Sequence, residues 1–313
     1  MTTLQIIATL LQVLFVPMAS PLIIGIIRKV KARMQNRDGA SVLQPYFDLL
    51  KLFRKDEVIS EDTSFIFRIA PFIVFCVTIF IGASIPIFSL VTTYLPSGDF
   101  LVIMYFFVFG TFFLALAGMD AGSGFGGFGS SREMMVSALA EGGLLFSLLI
   151  PSVAAETTNV VGMVAVLQEF SLIQLLPIFI AFLAFFIALL AENSRFPVDN
   201  PATHLELTMI HEAMILEYSG KRLALLEWAS ANKLLIFIAL GGNLFFPWGI
   251  GSEFEFLAII FSLGVFALKT AGFVLAIAVL ESIIAKFRIF RVPDLLFTSL
   301  VLGMIALGII ITI

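Results

Sequence analysis

Long apolar runs separated by short polar stretches make up almost the whole of this chain. Measured against the roughly 20 apolar residues that a membrane-spanning helix needs, they give eight spans, at about 3–27, 67–92, 100–119, 132–154, 171–192, 222–247, 254–281 and 293–313. The polar stretches between them alternate in charge. The first carries Arg28, Lys29, Lys31, Arg33, Arg37, Lys51, Arg54 and Lys55, and the third Arg132. The fifth carries Arg195, Lys221 and Arg222, and the seventh Lys286, Arg288 and Arg291. The second, fourth and sixth hold no Lys or Arg; their only charges are Asp99, Glu156, Glu169, Glu253 and Glu255. By the positive-inside rule the odd connections face the cytoplasm and both termini lie outside. A missed span would break this alternation, so it fixes the count. The expected architecture is an all-α polytopic protein of the cell membrane, one membrane domain over residues 1–313. It has a cytoplasmic loop at 28–66 and a charged cytoplasmic segment at 193–221.

Within the first loop, Leu43, Tyr46, Phe47, Leu50 and Phe53 fall on one helical face, and Gln44, Asp48, Lys51 and Lys55 on another. That pattern predicts an amphipathic helix lying along the membrane surface. Between the third and fourth spans, GMDAGSGFGGFGSSRE contains a formal G-x-G-x-x-G at Gly122, Gly124 and Gly127. A dinucleotide site needs a βαβ unit around that motif, and here a membrane span stands on either side. The glycines read instead as a tight cytoplasmic turn that a partner's backbone can approach closely, with Ser130 or Ser131 capping a helix from Arg132.

Composition adds a constraint on chemistry. The chain is 60% hydrophobic and 13% charged, whereas soluble domains carry about a quarter charged residues. The first span has no basic residue before it and no small-residue cleavage site, so it reads as an uncleaved helix kinked at Pro17 and Pro21. Its single cysteine, Cys76, cannot form a disulfide within the chain, and one thiol cannot hold an iron–sulfur cluster or a structural zinc. Any redox centre therefore belongs to a partner.

Charges stand where lipid should be. Glu141 lies well inside the fourth span, Lys233 in the sixth and Lys269 in the seventh; Glu192 closes the fifth span and Glu227 opens the sixth. Each such charge costs about 2.5–3.5 kcal/mol on the insertion scale, so it faces a bundle interior or a water-filled cavity and marks an ion pathway, or it is held in a static pair such as Glu141 with Lys269. The segment from Glu192 to Arg222 concentrates the rest: Glu192, Arg195, Asp199, Glu206, Glu212, Glu217, Lys221 and Arg222, with both histidines, His204 and His211. It breaks at Pro197 and Pro201 and then reads as a helix capped by Thr203, with Glu206 in capping-box register. The histidines stand seven residues apart, about 10 Å along a helix and too far to share one ion. His211-Glu212 lacks the second histidine of H-E-x-x-H, because Ile215 stands there.

These residues resemble a known family, the membrane subunit shared by respiratory complex I (its H subunit) and the membrane-bound group 4 nickel–iron hydrogenases. The resemblance rests on QNRDG at 35–39 with LQPYFDLLKLFRK at 43–55, on GSGFGGFGSSRE before the fourth span, and on E-x-x-R-x-P-x-D at Glu192–Asp199 with EYSG at Glu217–Gly220. Where the quinone-reducing branch carries E-A-E-x-E, this chain has Ala202 and His204 at the first two acidic positions and keeps only Glu206. That departure resembles the hydrogenase-type complexes and their sulfur-reducing relatives. The resemblance implies a subunit with no redox centre of its own, anchoring a module with iron–sulfur clusters and a nickel–iron (NiFe) centre. The implied partners are hydrogenase-like large and small subunits, a ferredoxin-like iron–sulfur subunit, antiporter-like membrane subunits and the lipid bilayer, with no nucleic acid.

It further implies an acidic path of Glu141, Glu192, Asp199, Glu206 and Glu217; with His204, His211, Glu212, Glu227, Lys233 and Lys269 from the charges read above, these make the expected ion-coupling set, in which Glu141 or Glu217 changed to glutamine would uncouple transport. It also implies a docking set of Arg33, Gln35, Arg37, Gln44, Asp48, Lys51, Arg132 and Arg195. Readings that stay open are a quinone-binding H subunit, a stand-alone secondary ion transporter and a passive anchor.

Overall fold

The structure, a computed structural model, describes residues 3–90, 98–171, 174–200, 208–251 and 256–312. The described residues form eleven α-helices: α1 (Thr3–Met34), α2 (Gln44–Phe53), α3 (Phe65–Ser84), α4 (Phe100–Asp120), α5 (Gly124–Ala154), α6 (Val160–Leu167), α7 (Leu176–Glu192), α8 (His211–Ile215), α9 (Gly220–Leu244), α10 (Phe256–Ile283) and α11 (Val292–Thr312). Seven are long and apolar enough to cross a membrane, and α7 has 17 residues, at the short end of what spans. A helix stands at the place of each expected span, with shifted ends.

α1 runs to Met34, so Arg28, Lys29, Lys31 and Arg33 sit on its last turns rather than in a loop. α3 stops at Ser84, ahead of Pro86, since the residue before a proline is pushed out of the helical region. α6 was not expected; Asn159 caps it through Val161 and Gly162, and Val160, Met163, Val164 and Leu167 are fully buried. The largest correction is the glycine run, which keeps the expected turn at Gly122, where φ is +65°, but is helical from Gly124 onward. Ser123, not Ser130 or Ser131, caps α5 by accepting from the Gly126 N–H. The run lets the chain approach itself: a Cβ on Gly126 would stand 2.2 Å from the Gly118 carbonyl oxygen, and one on Gly129 2.8 Å from Ala213 Cβ. The expected cap at Thr203, with Glu206, lies outside the described residues.

Prolines inside two helices also build tertiary contacts. Proline lacks the N–H that would bond the carbonyl four residues back. Pro21 thereby frees the Pro17 carbonyl, which accepts Trp228 Nε1–H from α9 at 2.8 Å; Pro71 frees the Phe67 carbonyl, which accepts the Tyr218 hydroxyl at 2.8 Å. Tyr218 also stacks on Phe67 with ring centroids 3.9 Å apart.

α5, α7 and α11 pack together, α4 joins them to α3, and α9 packs on α3 and α1, with α10 across α1. Aromatic rings fill the middle, with Phe237 against Phe107 and Phe185 against Phe245. Apolar lipid supplies no hydrophobic drive between helices, so such packing and the polar links carry their association.

The connections sort to two ends. At one end Ser219 bonds Val58, Arg222 pairs with Glu57, Arg132 bonds Met209 O, and Lys286 reaches Asp199. At the other, Leu90 bonds Gly251, Phe100 bonds Thr158, and Gln168 bonds Pro247. α7 runs from one to the other.

Candidate functional site

α5 places Glu133, Ser137 and Glu141 at four-residue spacing, which puts them on one face. α7 ends against that face at Glu192. Ser137 Oγ lies 3.1 Å from Glu141 Oε1 and 3.4 Å from Glu192 Oε1, and Lys233 Nζ from α9 donates to Glu192 Oε2 at 2.8 Å. The result is one polar line, Glu141, Ser137, Glu192, Lys233, among buried apolar side chains. Glu133, itself buried, faces the same space. A cavity of about 50 Å³ is lined by Glu133, Glu192, Asn193, His211, Ser230 and Lys233, room for one or more waters.

A second, larger cavity of about 720 Å³ opens between α1, α2, α9 and the 193–199 turn. Its walls carry Arg28, Lys31, Arg37 and Arg195 against Asp48, Asp199, Glu212, Glu227 and Glu281. Asn193, Ser194, His211 and Ser230 line both cavities, so these four form the partition between them. Asn193 Oδ1 is buried there without a hydrogen-bond partner, a position for a donor such as water.

The 193–200 turn is held by buried charge. Arg195 NH1 pairs with Glu281 Oε1 at 3.2 Å, and Lys31 Nζ with Glu281 Oε2 at 3.0 Å. Asp199 takes Lys286 Nζ at 2.5 Å and accepts the backbone N–H groups of Ile210 and His211. Burial, helped by the nearby Lys233 ammonium and opposed by Asp199, pushes His211 down to about 4. His211 is therefore neutral at pH 7 and can pass a proton without holding charge. Burial also pushes Glu212 up to about 7, with the Glu227 and Asp199 carboxylates adding to the rise and Arg28 opposing it. Glu212 is thus the group of this short helix that titrates near neutrality.

Of the expected ion-coupling set, the structure brings Glu141, Glu192, His211 and Lys233 to the small cavity or the polar line beside it, and Glu212 and Glu227 to the large one. Asp199 is a clamp. Glu217 is exposed and makes no ion pair among the described residues, and its neighbour Tyr218 is the buried member of EYSG. Lys269 stands apart, 3.4 Å from Asn243 Oδ1, and does not pair with Glu141. His204 and Glu206 lie outside the described residues. In the docking set, Arg33, Gln35, Arg37 and Lys51 are exposed, while Gln44 and Asp48 bond each other at 2.8 Å. Arg132 donates one hydrogen bond to Met209 O and is partly exposed, and the buried Arg195 pairs with Glu281. Sequence reasoning missed Glu133 and Glu281. Glu133 stood second in the span expected from 132; once the glycine run is helical, 133, 137 and 141 form a visible stripe.

Comparison with known proteins bears on the chain as a whole. The NADH dehydrogenase family model matches residues 6–313. Formate hydrogenlyase subunit 4 of Escherichia coli (strain K12) is 30% identical over 284 residues, 91% of this chain and 92% of that one. Hydrogenase-4 component C of the same organism is 31% identical over 283 residues, covering 90% and 89%. NADH-ubiquinone oxidoreductase chain 1 of Chondrus crispus is 27% identical over 229 residues, covering 70% and 68%. In the solved structure of the membrane-bound sulfane sulfur reductase, an archaeal respiratory membrane complex, one chain matches at a TM-score of 0.85 and 21% identity, covering 98% of this chain and 99% of that one. That match shows a shared fold. A buried acid–lysine line reached from a charged chamber, on a multi-pass helical frame, is thus the property of a chain that belongs to the NADH dehydrogenase family.

Proposed function

We propose that this chain is the membrane subunit of a complex I-related respiratory assembly, anchoring a cytoplasmic nickel–iron-hydrogenase-like module and coupling its redox reaction to H⁺ or Na⁺ translocation. It crosses the bilayer eight times in this reading, α7 included, with both termini outside. The observation that carries the proposal is the polar line Glu141–Ser137–Glu192–Lys233, reached from the large chamber through the His211 partition. A passive anchor needs no such line. Formate hydrogenlyase and hydrogenase-4 relatives support the hydrogenase-like partner.

In this reading the NiFe and iron–sulfur centres belong to partner subunits that sit on the exposed Arg33, Gln35, Arg37 and Lys51, and they supply the electron transfer. The chain's own residues handle the charge. Reduction in the docked module changes the potential at the chamber, where Glu212 takes up or releases a proton near neutrality. Neutral His211 passes the proton across the partition. Protonation of Glu192 weakens its hold on Lys233, and Ser137 links the change to Glu141. Such a switch needs a few kcal/mol of differential interaction between two states, which one desolvated carboxylate changing charge supplies.

The chamber volume also suits a quinone-sized ligand, which supports the quinone-binding alternative; the charged residues along its walls favour a wet, proton-handling space. The test uses the purified complex in liposomes. Glu141→Gln should keep hydrogenase turnover with a soluble electron donor while ion uptake per electron pair collapses. Full coupled uptake in that variant would overturn the proposal, and so would ion transport by this chain reconstituted alone, as a stand-alone transporter would show.

A further inference from the structure

Lys269 stands at the midpoint of α10, 13 residues from Phe256 and 14 from Ile283, about 20 Å of helix in either direction. Snorkelling serves lysines near helix ends, so it does not reach water from here. Within the described residues its partner is a neutral amide, Asn243 Oδ1 at 3.4 Å, and no carboxylate lies within ion-pair distance. Asn243 is itself committed, since its Nδ2 donates to the carbonyls of Pro86 and Ile87. Lys233, the other lysine placed well inside a span, has its acid in Glu192.

The face of α10 beside this lysine is open. Leu268, Gly272 and Ala276 are exposed, the glycine and the alanine four residues apart, and a Cβ added at Gly272 meets nothing within 4 Å. Gly272 lies one turn from Lys269, on its own flank of the helix. Small residues along a membrane helix let a second backbone come close, and the bare ammonium fixes what that helix must bring.

We infer that α10 is the seat of a transmembrane helix from a neighbouring membrane subunit, which places a carboxylate against Lys269 at mid-bilayer. A phospholipid cannot supply that anion, because its phosphate lies at the surface. The inference rests on the proposed place of this chain in a multisubunit assembly, and it concerns assembly rather than ion transport.

Treating the intact complex in mild detergent with the apolar reagent dicyclohexylcarbodiimide tests it, because the activated carboxyl is captured by an adjacent lysine as an amide. Peptide mass spectrometry should find Lys269 joined to an Asp or Glu of another membrane subunit, and Lys269→Met should abolish that cross-link. Lys269→Glu should lower recovery of the same subunit by about tenfold or more, since a buried charge left facing its like is costly, while Lys269→Arg retains it. A cross-link confined to this chain, for instance to Glu253 or Glu255, would overturn the inference. Unchanged subunit recovery in a Lys269→Glu complex that still contains this chain would overturn it too. These readouts are independent of coupled ion uptake, so this idea and the coupling proposal can fail separately.

Discussion

Glu192 and Lys233 illustrate how a single pair is tolerated among apolar helices. The carboxylate is 4% exposed and the ammonium side chain 18%, so removing one partner leaves a charge with no solvent to take it. Lys233→Met is expected to destabilise the complex by about 3–5 kcal/mol, whereas adding Glu192→Gln to it recovers most of that loss; thermal unfolding in detergent reads both. Tyr218 offers a neutral counterpart. Tyr218→Phe strands the Phe67 carbonyl that Pro71 released, an expected loss of about 1–3 kcal/mol. In a Pro71→Ala background the backbone N–H restored at that position takes the carbonyl, and the same tyrosine substitution should cost clearly less. Glu212 contributes to the pH dependence. Its carboxyl stays protonated in the fold up to about 7 against an ordinary 4.5, so between those values the folded state binds the extra proton and stability falls as pH rises. Glu212→Gln should reduce that slope by the share of one proton and gain at most about 3 kcal/mol above pH 7, as unfolding titrated from pH 4 to 8 would show.

At the scale of elements, what was legible in the sequence followed from composition, and what was not followed from backbone contact. Apolar length located every long helix, and the amphipathic stripe located α2, whose Tyr46 bonds the Met18 carbonyl while Phe47 and Leu50 stay exposed. Glycine permits both a turn, as at Gly122, and a close helix crossing, as from Gly124 on, and only the neighbours α4 and α8 decide between them. Gly129→Val follows from the second: its side chain would strike Ala213 Cβ and the Ile210 carbonyl, the latter 2.9 Å from the Cβ alone. It should displace α8 with His211 and Glu212 and lower both stability and coupled activity, while Gly127→Ala, which meets nothing within 4 Å, should be neutral. Glu133 escaped notice for the same reason, since its depth depends on where α5 begins. Arg195 reads as a surface charge because a sequence cannot show that Glu281 stands opposite it.

On the scale of the whole molecule, alternating charge in the connections anticipated the two ends that the structure assembles. The end rich in lysine and arginine also holds the large chamber, the partition and the clamps on the 193–200 turn, and the polar line runs inward from it. Lys286 straps the α10–α11 linker to Asp199 at that end, and Phe287 N–H bonds the Pro197 carbonyl at 2.9 Å, so displacement of the turn is transmitted to α10 and α11. The account stands on charge moving along the buried line when the docked module turns over. Its most direct test is ion uptake by proteoliposomes of the complex, measured per electron pair, in wild type and Glu192→Gln. The prediction is near-complete loss of uptake with turnover on a soluble donor retained; uptake at the wild-type ratio in Glu192→Gln would contradict it.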